Sequence, residues 1–225
     1  MTKDDIDIRK ELEQCLVKAE GLALNGKGDT LDLCGEICAG CVLLAEQNWR
    51  NQEKTWEISS LSGHLLRYAR HLEGFDHELD YVNSLMQRMI EVIPEGHPRL
   101  KLKMLQFRLL VLQRIEALAD RDLSATEEVE EEIGFLKRNI DLADRGVLNE
   151  IEQEGHLKED PVEWTLHFEE ADDSVEKELD RRLEGVPRGM GFCFAYWAEK
   201  KNILKEFYGI DWKTPSEMNP GVLFD

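Results

Sequence analysis

The sequence predicts an all-α protein of antiparallel helical hairpins, closed by an aromatic C-terminal helix and an extended terminal strap. Three observations carry this: apolar residues recur every three to four positions almost throughout, the interruptions hold Gly or Pro, and nothing alternates apolar and polar residues as a half-buried strand does.

Ile8, Leu12, Cys15, Ala19 and Leu22 set the rhythm of a first helix that stops at Asn25-Gly26-Lys27-Gly28. Asp29 or Thr30 then caps a second helix reaching about Asn48. A third, from about Glu53, carries Ile58, Leu61, Leu65, Tyr68 and Leu72 on one side and ends at Gly74. The fourth, from about Asp76, uses Leu79, Val82, Met86, Met89 and Ile93 and is closed by Pro94-Glu95-Gly96-His97-Pro98. A fifth, about Arg99 to Ala119, is apolar over most of its circumference and leaves Lys103, Gln106, Gln113 and Arg114 as a narrow polar strip, so it is expected to be the most buried element. Ser124 and Glu127 have capping-box spacing and open a sixth helix ending near Gly146.

Paired in order, these six helices form a body over residues 1–146, with hairpins at roughly 5–48, 53–93 and 98–145. The pitch resembles α-hairpin arrays such as the tetratricopeptide and HEAT families. The resemblance is architectural only, because the aromatic, Gly and Ala positions of the 34-residue unit do not recur. A compact bundle satisfies the same pattern. Residues 147–225 follow as an acidic connection, a thin helix over 171–184 with Val175, Leu179 and Leu183 inward, the aromatic helix from Phe192 to about Tyr208, and the strap after Gly209. They are expected to pack on the body as one domain.

Eight of the seventeen aromatic residues lie in the last forty positions, which no disordered tail would carry. On the aromatic helix Phe192, Cys193, Tyr196, Trp197, Ile203, Leu204, Phe207 and Tyr208 share one broad face with Lys200 at its centre. A buried ammonium needs a carboxylate, an aromatic cage or a lowered pKa, so Lys200 closes an internal ion pair or contacts a ligand. Arg108, set among Met104, Leu112 and Ile115, is expected to fork onto a carboxylate. Arg188-Gly189-Met190-Gly191 at a helix start has the form of an anion cradle or a plain turn. Lys200, Arg188, Arg108, Tyr196 and Trp197 are therefore the candidate ligand or partner-binding residues.

Cys34, Cys38 and Cys41 have the C-x3-C-x2-C spacing with which radical S-adenosylmethionine enzymes hold an iron–sulfur cluster. Here they fall on one apolar helical stripe beside Gly35, Ala39 and Gly40, which reads as close helix packing. His64 and His71 lie off the apolar stripe of the third helix, with no His-Glu-x-x-His pattern nearby. The pairs Glu128/Glu131 and Asp141/Asp144 resemble the magnesium-holding acids of all-α nucleotide pyrophosphohydrolases but share one helix and point in different directions. No catalytic residue, metal site or cofactor is expected.

With 47 acids against 28 bases the chain carries a formal charge of -19, which argues against binding nucleic acid or an anionic membrane surface. Residues 141–184 alone hold sixteen acids and five bases. That run reads as a solvated face, or as a docking strip for a basic protein partner. No apolar stretch approaches the ~20 residues of a membrane span, the first residues lack a signal-peptide pattern, and five cysteines make no disulfide framework. The expectation is a cytoplasmic, non-catalytic interaction or adaptor protein. The alternative is a small-molecule or anion-binding protein, or an enzyme, with a pocket between the aromatic helix and the body.

Overall fold

The computed structural model describes residues 3–22 and 28–224. Among these the chain is all-α, with nine α-helices and no strand. They are α1 (Lys3–Glu20), α2 (Gly28–Asn51), α3 (Ile58–Leu72), α4 (Leu79–Ile90), α5 (Pro98–Ala119), α6 (Ser124–Asp144), α7 (Leu166–Arg182), α8 (Phe192–Ile203) and α9 (Pro215–Met218). Among the described residues no helix is long and apolar enough to cross a membrane. Residues 23–27, where the first helix was expected to stop, lie outside the described residues, as does Asp225.

The chain divides into two compact units, one of Met1–Pro94 and Leu100–Gly134, the other of Glu95–Arg99 and Phe135–Asp225. In the first, α2 packs on α1, α3 and α4. The cysteine stripe faces inward: Cys34, Cys38 and Cys41 are at most 1% exposed. A Cβ on Gly40 would approach Leu12 Cδ1 to 3.2 Å, so the missing side chain lets α1 lie close on α2. Tyr81 Oη donates to the carbonyl of Gly35 at 3.2 Å, using the same small-residue stripe on the α4 side. Paired arginines fix the helix order: Arg9 forks onto Glu57 at 3.1 and 2.6 Å, and Arg88 onto Glu46 at 2.7 Å twice.

Three elements depart from the periodicity. The third and fourth helices each begin with a single 3-10 turn, 55–57 and 76–78, before the α-helix is established. On α5, Met104, Leu105, Val111 and Leu112 are fully buried, yet Leu110 is 60% and Leu118 57% exposed. The helix is thus not enclosed on all sides.

In the second unit the core is Phe168, Ala171, Val175 and Leu179 of α7 against Ile203, Leu204, Ile210 and Trp212. The seventh helix starts at Leu166 rather than at 171. Thr165 caps it, its hydroxyl accepting from Phe168 N at 3.3 Å. After Ile203 the aromatic helix widens into a π turn over Leu204–Tyr208, which Gly209 ends at φ 66°. The extra residue per turn retards the register, so Phe207, which an unbroken helix would place on the inner face, is 59% exposed and lies against the Arg182 guanidinium instead. The strap is not extended throughout: Thr214 and Glu217 form a capping box around the single turn α9.

The strap is knitted to residues 158–163 by side-chain-to-backbone bonds. Asn219 and the Lys158 backbone exchange two hydrogen bonds of 2.8 Å, and Lys213 N donates to Asp160 Oδ2 at 2.6 Å. Asn139, fully buried, likewise exchanges two 2.9 Å bonds with the backbone of Glu152 and holds the irregular connection in place.

Candidate functional site

The second unit contains a buried polar cluster, and α7 and α8 build it. Phe168, Asp172, Val175 and Leu179 follow each other at helical spacing, so Asp172 stands on the apolar stripe of α7 and is only 2% exposed. Lys200 occupies the corresponding place on α8. Its Nζ donates to Asp172 Oδ1 at 2.9 Å and to Glu176 Oε1 at 2.7 Å, and it lies 5.5 and 5.9 Å from the ring centroids of Phe168 and Trp212. Tyr196 Oη, one turn earlier on α8, donates to the same Glu176 oxygen at 2.5 Å.

Burial alone would lower the lysine pKa, but the carboxylates of Asp172 and Glu176, together with the Tyr196 and Glu163 groups, raise it well above the ordinary value. Lys200 is therefore a charged ammonium, and it is not an activated amine. Tyr196 is held as a neutral phenol, chiefly by burial, with the Lys200 charge opposing and Glu176 assisting.

Two further groups adjoin this cluster. Glu163 accepts from Trp212 Nε1 at 2.6 Å. Burial pushes its carboxyl up to about 7, against the lowering effects of the Lys200 charge and the Trp212 hydrogen bond. His97, from the turn before α5, is 4% exposed and lies 3.1 Å from Asp173 and 3.5 Å from Asp172. Burial opposes its protonation, but the hydrogen bond to Asp173 and the charges of Asp172, Asp173 and Glu169 outweigh it and raise its pKa. Gly96 permits this approach, since a Cβ there would stand 2.6 Å from Asp172 Oδ2.

Sequence reasoning finds Lys200 and Tyr196 and misses their partners. Asp172, Glu176 and Glu163 are concealed in the acidic run, which is not simply a solvated face: Asp160 and Asp172 are buried within it. The available signal was Asp172 at four residues from Phe168 and three from Val175. His97 had only the glycine before it as a marker.

The remaining candidates are placed elsewhere. Trp197 is stacked edge-on between Phe194 and Phe224, at centroid distances of 5.5 and 5.1 Å. Arg188 lies 3.5 Å from Asp180 and 5.6 Å from the Phe192 ring, so its guanidinium is directed to a carboxylate of its own unit. Arg108 belongs to the first unit. Its fork meets two amides, Asn83 Oδ1 and Gln87 Oε1, both at 3.1 Å, in place of the expected carboxylate, and burial lowers its pKa. Lys101, on the same stripe, pairs with Glu132 at 2.6 Å.

Among the described residues no group of three or more His, Cys, Asp or Glu side chains is arranged to hold a metal ion. Burial pushes the Cys41 thiol up to about 12 and raises Cys38 and Cys34 as well, so all three are protonated where they pack. Comparison with protein-family models, curated proteins and solved structures finds no match.

Proposed function

We propose that this chain is a non-catalytic, cytoplasmic interaction or adaptor protein whose recognition surface is the aromatic ledge of the second unit. The observation that carries the reading is the exposure of that ledge. Phe194 is 48% exposed against Trp197, which in turn meets Phe224, and Met190 and Leu223, close to these in sequence, are 94% and 96% exposed. Aromatic and methionine side chains gathered at a surface mark protein contacts, because each buries a large area at little rotamer cost.

The groups with chemical potential are turned inward. Lys200 is saturated by Asp172 and Glu176, which favours a structural clasp over a reacting amine. The excess of eleven negative charges over residues 141–184 supports a partner that presents an apolar segment flanked by basic residues. Reduced thiols, at Cys15 and Cys193 as well as in the core, fit a reducing compartment.

Affinity capture with the wild-type protein and with the double variant Phe194→Asp/Trp197→Ala tests this. Partners retained by the wild type are expected to be lost from the variant while its circular dichroism stays native. A capture profile unchanged by the double substitution sinks the reading.

A further inference from the structure

A second surface, in the first unit, has the opposite electrical character. Residues Arg70 and Glu73 from the end of α3 and Lys103, Gln106, Phe107 and Leu110 from α5 line an open groove of about 470 Å³. Its floor is Phe107, 5% exposed, and its wall is Leu110, 60% exposed. In a chain with 47 acids, α3 has none: it carries Arg67, Arg70, His64 and His71. On α5 five bases face one acid, Glu116.

Most α5 cations are occupied. Lys101 meets Glu132, Arg108 the amides of Asn83 and Gln87, and Arg114 the carboxylate of Asp76 with the carbonyl of Gly74. The side chains of Arg70 and Lys103 make no hydrogen bond or ion pair among the described residues, and both border the groove.

We infer that this groove is a docking site for an acidic linear segment of a partner protein, one that sets an apolar side chain on Phe107 and Leu110 and carboxylates against Arg70 and Lys103. It is independent of the aromatic ledge, being built from different residues of a different unit. Charge complementarity selects the occupant. A second copy brings its whole charge of -19 to this face, and a nucleic acid or an anionic membrane brings an extended array of negative charge that two cations cannot balance, whereas a short segment brings only the few carboxylates that Arg70 and Lys103 neutralise. A free phosphate would satisfy the cations but leave the apolar floor uncovered. At physiological salt the Debye length is about 8 Å, which screens the distant acids while leaving direct ion pairs in force. Glu73 gives the groove a direction, because the end of the segment beside it must be uncharged or basic.

The probe is a capped, labelled hexapeptide, Glu-Asp-Leu-Phe-Asp-Glu, with its Gln/Asn analogue and its all-Lys analogue, titrated by fluorescence anisotropy in about 0.15 M salt. The acidic peptide is expected to bind about tenfold or more tightly than the neutral one, and the Lys analogue not to bind. Arg70→Glu/Lys103→Glu should remove at least tenfold of that affinity and Leu110→Ala weaken it measurably, with thermal melts near wild type. If the double reversal unfolds the chain, Arg70→Gln/Lys103→Gln decides by the same criterion. The proposal is overturned if acidic and neutral peptides bind alike, if neither binds, or if the charge variants leave binding unchanged. It is also overturned if inorganic phosphate or anionic vesicles bind the groove as well as the peptide does, or if sedimentation shows a dimer that the charge variants dissolve.

Discussion

Lys200 holds two carboxylates in a largely buried cluster, and its removal therefore costs more than the contacts it makes. Lys200→Met keeps the apolar bulk but leaves Asp172 and Glu176 buried without their counter-charge, so the second unit should lose about 3–5 kcal/mol, read as a shift in denaturant midpoint. A shift within about 0.5 kcal/mol would show the ammonium to be solvated and the clasp reading wrong. Glu163 and His97 give the same cluster a pH response. A carboxyl near 7 in the folded state and about 4.3 unfolded binds its proton more tightly when folded, so its stabilising contribution is complete below the lower value and lost as pH rises to the higher one. His97, also raised, contributes fully below about 6.5 and loses its contribution as pH passes its folded value, with the same sign. Stability of the unit should thus decline from pH 5 to pH 8, and Glu163→Gln should flatten the lower part of that decline while sparing the upper. The cation was legible in the sequence because helical spacing centred it on an apolar face. Its partners were not, because a helix begun at residue 171 places Phe168 outside it and removes the apolar frame that makes Asp172 conspicuous.

Helix periodicity located most elements to within a few residues because their apolar stripes are strong and their stops are Gly or Pro. It failed where local hydrogen bonding rather than burial chooses the conformation, as at the Thr165 cap and the Thr214/Glu217 box. The π turn after Ile203 could not be read at all, since a widened turn has no residue signature and shows itself only through Phe207 being displaced outward. The cysteine stripe of α2 was legible as packing, and it yields a count. Under native conditions a thiol reagent should modify two of the five cysteines, Cys15 and Cys193, and reach Cys34, Cys38 and Cys41 only after denaturant is added. Rapid native modification of four or more would mean that α1 and α2 do not enclose the stripe.

At the scale of the whole chain the governing quantity is the charge of -19, which self-repulsion makes unfavourable to any compact state. Adding salt from about 0.01 to 0.3 M shortens the Debye length from roughly 30 Å to well under 10 Å, so the thermal midpoint should rise over that range. A falling midpoint would mean that ion pairs such as Arg88–Glu46 outweigh the repulsion. The all-α class was legible from composition and spacing alone. The assignment of residues 95–99 and 135–146 to the second unit was not, because helical rhythm runs through α5 and α6 without marking where one core ends and the next begins. The bonds from Asn219 and Lys213 back to residues 158–160 bear on synthesis. During translation α7 and α8 leave the ribosome before the strap that fastens them. Until residue 219 is free, Phe168, Lys200 and Glu163 stand without Trp212 over them, and the nascent chain must wait with its polar cluster open.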